Sequence, residues 1–244
     1  MGIPPKPEWV GYRDIKHEGA QAMDQSQKTQ DRMMERYQKQ VINLRAWCQG
    51  RRYHRAGKAI RFAQEIHTGF RKDGVTPEFA HQIAVTQYIR TVADQLLYPE
   101  ETIAAGLLHD TPEDYDVDYG VLVDMFGKVI ADASLTMSKK YQGTSKTPEA
   151  YFGGMAKCPI SSVGKGGDRI HNFQSMVGVF THQGQVKYME EAELWILPML
   201  KEARRRFPEQ EPVYQNEQLV LESQIHLIRE IHKAAKEAAT PKGH

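Results

Sequence analysis

Apolar residues in this chain recur at steps of three and four, and almost nowhere at steps of two. That periodicity predicts helices nearly throughout. Strand-like alternation is scarce, and hairpin signals flanked by alternating apolar residues are absent. The expected fold class is therefore all-α. The 244 residues fit one domain with additions and suffice to bury a core without staples. With 32 Lys and Arg against 31 Asp and Glu, the net charge of +1 offers no global attraction for nucleic acid or a membrane surface. No apolar run approaches the ~18 residues of a bilayer span, and the Met-Gly-Ile-Pro-Pro start has no apolar leader region. Two cysteines, Cys48 and Cys158, make neither a disulfide framework nor a zinc box. A reducing cytoplasm is the expected compartment.

Three segments follow from composition. Residues 1–57 form an N-terminal extension: a Pro-containing arm over 1–20, then a helix from about Ala22 to Cys48. Met34, Tyr37, Val41, Leu44 and Cys48 give that helix a narrow apolar stripe. The stripe docks on its own domain or, alternatively, forms a homo-oligomer contact through residues 22–48. Residues 58–207 carry the chemistry. Helices are expected at Ala59–Phe70, Phe79–Val92, Glu101–His109, 118–137, Asp168–Phe180 and Gln185–Phe207, with Leu122, Phe126, Val129, Ile130 and Ala133 turned inward in the fourth. Loops are expected at 71–77 and 138–148. Residues 208–244 begin with Pro-punctuated Pro208-Glu-Gln-Glu-Pro212 and continue as a last helix over Asn216–Ala238.

One stretch stands apart: Ala104-Ala-Gly-Leu-Leu-His109-Asp110-Thr-Pro-Glu113-Asp114. A buried apolar helix that ends in adjacent His and Asp needs a reason, because buried charges must be paired or bound to metal. Pro112 is expected to stop the helix, with Thr111 as N-cap of the next turn and Asp114 as its N3 acid. Upstream, His81 lies early in an apolar helix. Downstream, Asp168, Asn172 and Ser175 fall at i, i+4 and i+7, a polar stripe beside the apolar Ile170, Phe173, Val177 and Phe180. His81, His109, Asp110 and Asp168 make a mixed nitrogen and oxygen donor set. Such a set suits Mn²⁺, Fe²⁺ or Zn²⁺ and is poor for Ca²⁺. A cation there lowers the pKa of water, giving a nucleophile for phosphate esters.

The ordered pattern H…HD…D resembles the HD phosphohydrolase superfamily. It is most similar to the hydrolase domain of the RelA/SpoT homologues, especially the stand-alone small alarmone hydrolases. The likeness rests on Arg71-Lys72 ahead of His81, on His109-Asp110-Thr-Pro-Glu113-Asp114, and on Asp168-Arg-Ile-His-Asn172. It spans about residues 58–207. The resemblance implies an HD-domain helical bundle, here with extra N- and C-terminal helices. It implies hydrolysis of (p)ppGpp at the 3′ position, releasing pyrophosphate and leaving GDP or GTP. It assigns His81, His109, Asp110 and Asp168 to a metal ion, typically Mn²⁺, and Glu113 and Asp114 to orienting and deprotonating the attacking water. Arg71 would stack on the base, Lys72 and Asn172 would contact the nucleotide, Ser175 would stand near the ribose, and Lys139 would meet the pyrophosphate.

The chain also departs from that family. Glu78-Phe79-Ala80-His81-Gln82 stands where the family commonly shows Tyr-Ile-x-His-Pro, and Gly166-Gly167 replaces bulkier residues before Asp168. Two alternatives stay open: another HD phosphohydrolase acting on dNTPs, ppApp or NADPH, and a non-catalytic nucleotide-binding module.

Overall fold

The computed structural model describes the backbone of residues 12–239 and the side chains of residues 27–238. Its helices are α1 (Tyr12–Gly50), α2 (His54–Ile66), α3 (Ala80–Thr91), α4 (Pro99–Leu108), α5 (Thr111–Asp114), α6 (Tyr119–Phe126), α7 (Lys128–Met137), α8 (Pro148–Met155), α9 (Pro159–Met176), α10 (His182–Glu191), α11 (Leu197–Arg206) and α12 (Glu211–Ala239). A two-residue hairpin, β1 (Lys140–Tyr141) with β2 (Thr144–Ser145), separates α7 from α8. The all-α expectation holds. Among the described residues no helix is long and apolar enough to cross a membrane.

Residues 1–40 and 41–244 are two units. In the first, α1 is continuous from Tyr12, so the arm expected over 1–20 is helical from that point. Pro4, Pro5 and Pro7 all precede it and lie outside the described residues. Helical i,i+4 pairs run along it, including Gln27 to Asp31 and Lys39 to Glu35. In the second unit, Val41, Leu44 and Cys48 from the end of α1 are buried.

The second unit is organised around α4. Pro99 opens it at the first turn, where its missing N–H costs nothing, and Glu100 and Glu101 favour the positive helix end. Glu100 also accepts the backbone amides of Arg55 and Ala56 through Oε1 at 2.6 and 3.4 Å. It thereby caps α2, whose own N-cap residue Tyr53 makes no side-chain cap. Every residue of α4 from Thr102 to Leu108 is buried. Around it pack α2, α3, α7 and α9. The contact with α3 is close: a Cβ at Gly106 would lie 2.9 Å from Ile89 Cδ1.

Helix α9 is the second axis and carries α12 on its outer side. A Cβ at Gly166 would overlap the carboxylate of Glu217, and one at Gly167 would come within 3.3 Å of Tyr88. The glycine pair therefore makes room for α12 and α3. Ser162 Oγ, Tyr214 Oη and Gln210 Nε2 link the α9 start to the α12 start.

Several boundaries differ from the sequence expectations. The helix expected over 118–137 is broken by Gly127, whose φ of 87° suits a residue without a Cβ. After that break Val129 is 51% exposed rather than inward. The 138–148 loop contains the β1–β2 hairpin, turned by Gln142 and Gly143 with φ of 46° and 77°. Residues 148–155 form α8, which apolar spacing did not indicate. Helix α9 starts at Pro159 and stops at Met176, so Val177 lies beyond it and is exposed. The expected helix over Gln185–Phe207 is α10 and α11 joined by a π-helical stretch, Ala192–Ile196. Glu211 starts α12 because Pro212 fits its first turn.

Candidate metal and nucleotide site

Three helices aim side chains at one point. His81 comes from the first turn of α3, His109 and Asp110 from the C-terminal end of α4, and Asp168 from the middle of α9. His81, His109 and Asp110 place ligand atoms within 4.8 Å of one another. His109 Nε2 lies 3.1 Å from Asp110 Oδ2 and 3.8 Å from Asp168 Oδ1. His81 Nε2 lies 3.1 Å from Asp168 Oδ1 and 3.9 Å from Asp110 Oδ2. The structure thus brings together all four residues expected to hold a metal.

Each donor is held from behind. His109 Nδ1 donates to Gly106 O at 2.8 Å, which turns Nε2 to the centre. His81 Nδ1 lies 2.7 Å from His171 Nδ1, so one of the two rings carries the proton of that bond. Burial, with the positive charges of His81 and Arg71, pushes the His171 imidazole down to about 3 and keeps it neutral. Asp168 accepts Lys165 Nζ on Oδ2 and Asn172 Nδ2 on Oδ1, each at 2.7 Å. Asp110 accepts Gln82 Nε2 on Oδ2 at 3.0 Å.

The electrostatics ask for a cation. Burial disfavours charge on His109, but Asp110 and Asp168 outweigh it and raise the imidazole to about 9. Burial alone would raise both carboxyls; Lys165 instead holds Asp168, and His109 holds Asp110, below the usual carboxylate range. Yet His109 Nε2 is buried without an aligned hydrogen-bond partner. Two imidazole nitrogens and two carboxylate oxygens crowd together with one orphaned donor atom among them. The group His81, His109 and Asp110 could hold a divalent ion, with Asp168 Oδ1 beside both imidazoles, and imidazole with carboxylate suits a borderline metal.

A pocket of about 430 Å³ opens beside His81, which forms part of its lining. Arg71, Lys72, Asn172 and Ser175 line it, together with Phe180 and Tyr188. The Arg71 guanidinium reaches Asn172 Oδ1 and Ser175 Oγ, both at 3.4 Å. Lys72 Nζ stands 4.3 Å from the Phe180 ring centre. Arg169, buried and paired with Glu191, lies 4.5 Å from the Tyr188 ring centre and steadies that wall. The Asp168–Asn172–Ser175 stripe thus faces this site rather than open solvent. Glu78 also lines the pocket, accepts the Tyr115 hydroxyl and lies 4.0 Å from the buried His67.

Glu113 and Asp114 form the last turn of α5. Thr111 is not the cap: it is inside α5, Asp110 precedes it as cap, and Thr111 Oγ1 donates to Leu108 O at 2.7 Å. The one-turn helix continues almost directly from α4, so Thr111 spends its hydroxyl on the preceding helix end. Glu113 Oε2 accepts the Lys139 amide at 2.6 Å. The Lys139 residue is exposed and does not line the pocket. Partial withdrawal of the Asp114 carboxyl from water, with the negative charges of Asp110, Glu113 and Glu78, raises it to about 6.

Sequence reasoning passed over Gln82, Lys165 and His171. Lys165 and His171 each lie three residues from Asp168, a helical spacing that marks them as its neighbours. Gln82 has no such signal, because its partner is on another helix.

Residues 59–140 match the family model of the HD domain. A probable guanosine-3′,5′-bis(diphosphate) 3′-pyrophosphohydrolase of Synechocystis sp. is 31% identical over 127 residues, 49% of this chain and 16% of that protein. GTP pyrophosphokinases of Streptomyces antibioticus and Streptomyces coelicolor are 30% identical over 144 residues, 57% of this chain and 17% and 16% of those proteins. The matched stretches therefore span about a sixth of the length of these relatives.

Proposed function

From its all-α HD domain, we propose that this chain is a metal-dependent hydrolase that removes the 3′-pyrophosphate of (p)ppGpp, leaving GDP or GTP. The observation that carries the reading is the convergence of His81, His109, Asp110 and Asp168 beside a basic, aromatic pocket. The name of the Synechocystis relative, a probable guanosine-3′,5′-bis(diphosphate) 3′-pyrophosphohydrolase, supports the same substrate. The donor set favours Mn²⁺, with Fe²⁺ or Zn²⁺ as substitutes. When bound, such an ion polarises a phosphoryl oxygen and lowers the pKa of water.

The chain's own residues do the rest. Asp114, raised to about 6, is ionised at neutral pH and basic enough to take a proton from the attacking water. Glu113 is fixed by the Lys139 amide on one oxygen and orients that water with the other. Arg71 offers a planar cation for stacking on a base, with Phe180 and Tyr188 as apolar walls. Lys72 supplies positive charge for a polyphosphate, Asn172 and Ser175 supply polar groups for the nucleotide, and Lys139 in its exposed loop is a further cation for the leaving pyrophosphate. Cys48 and Cys158 are free thiols, which supports a cytoplasmic setting.

The test is anion-exchange analysis of ppGpp, pppGpp, ppApp, dNTPs and NADPH incubated with the protein, with and without Mn²⁺. Pyrophosphate with GDP or GTP, formed only with the metal, is the expected result. Orthophosphate as sole product, or turnover confined to dNTPs or NADPH, refutes the assignment. No turnover on any nucleotide points to a binding module.

A further inference from the structure

Gln82 follows the metal ligand His81 on α3 and is buried, with 1% exposure. Its backbone carbonyl accepts Thr86 Oγ1 at 2.6 Å, fixing this turn of the helix. Its side-chain Nε2 donates across to Asp110 Oδ2 at 3.0 Å. That oxygen is the one facing both imidazoles, 3.1 Å from His109 Nε2 and 3.9 Å from His81 Nε2. The other half of the amide is unpartnered: Gln82 Oε1 is buried without a hydrogen bond.

The orphaned acceptor is informative. A buried carbonyl left unmet keeps its full desolvation penalty, and an apolar residue of the same volume avoids it. Flipping the amide would set Oε1 against the Asp110 carboxylate, acceptor against acceptor, so the orientation is fixed. The side chain therefore gives up one hydrogen bond and keeps the one to Asp110.

We propose that Gln82 is a positioning residue that fixes the Asp110 carboxylate for metal binding, so that α3 supplies one ligand directly and sets the aim of a second. Asp110 is the least enclosed of the four donors, its side chain 33% exposed against 3–6% for the others. It also sits at a helix end, where apart from the facing imidazoles the Gln82 amide is the donor that holds its carboxylate inward. This inference rests on the metal-centre reading and adds to it a determinant of affinity.

The test is isothermal titration of Mn²⁺ and Zn²⁺ into metal-stripped wild-type protein, Gln82→Met and Asp110→Ala, with thermal melts of each metal-free form. Met keeps the length and volume and removes both the donor and the orphaned acceptor. The expected result is metal affinity about 10–100-fold weaker in Gln82→Met, the range for loss of an outer-shell partner, with a metal-free melting temperature equal to or above that of wild type. A purely structural role gives the reverse: a lower melting temperature and unchanged affinity, which overturns the proposal. Gln82→Ala, with the best helix former, carries the same affinity expectation should Met not be accommodated. Wild-type protein that binds neither ion, or binds as well with Asp110→Ala, overturns the metal centre itself and this proposal with it.

Discussion

Glu217 links the stability of this protein to pH in a way that one substitution isolates. The residue is fully buried in α12 against Gly166, and neither carboxylate oxygen has a hydrogen-bond partner. Burial raises its carboxyl well above 4.5, so the folded chain holds a proton that the unfolded chain releases. A raised carboxyl pKa favours the folded state at low pH, and that advantage is lost as pH climbs through and beyond the unfolded value. Above the ordinary carboxylate value the unfolded state ionises at this position, while burial holds the folded state back from ionising. Stability relative to a non-titrating residue then falls by up to about 1.4 kcal/mol per pH unit, the limit for one proton. For a unit of this size that is a shift of about 3–6 °C in melting temperature. Glu217→Gln keeps the shape and removes the titration. Melting of wild type and variant by circular dichroism from pH 5 to pH 7 should show the variant gaining on wild type as pH rises. A difference that stays flat across that range refutes the reasoning: Glu217 would then be ionised and paired, or hydrated, in the folded protein.

Asp114→Asn should lower kcat by about 10²–10⁴-fold, the contribution of a positioned general base. In wild type the rate should rise with pH through a limb at or below about 6, where Asp114 ionises, and a pH–rate profile should show that limb missing from the variant. Lys165→Met leaves Asp168 buried without its ammonium partner, which costs about 3–5 kcal/mol of stability. Added Mn²⁺ should recover part of that loss in a thermal melt, since the cation replaces the missing charge. Arg71→Ala should raise KM for the nucleotide by more than it lowers kcat and leave metal affinity unchanged, which steady-state kinetics and metal titration together would show.

Where one residue set its own environment, the sequence was informative. The apolar run Ile103–Leu108 forecast the central buried helix, and the ionisable pair at its end forecast a site, because so enclosed a segment tolerates charge only with a partner. The spacing of Asp168, Asn172 and Ser175 forecast a shared face on α9. Lost to sequence reading was what depends on contact between elements. Gly166 and Gly167 read as departures from a pattern, whereas in three dimensions they admit Glu217 and Tyr88. Val129 read as core because its period matched a longer helix, but Gly127 resets the register. Thr111 read as a cap by local rules, but the end of α4 claimed its hydroxyl first. Gln82 carried no chemistry by position alone and acquired it only when α3 and α4 met.

The proposed metal centre places one divalent ion between α3, α4 and α9. Crystals grown with Mn²⁺ and measured for anomalous scattering test it most directly. The expected result is a single strong anomalous peak at coordination distance from His81 Nε2, His109 Nε2, Asp110 and Asp168, absent from Asp110→Ala crystals. A map with no peak among these four side chains, in crystals where Mn²⁺ is free to diffuse, contradicts it.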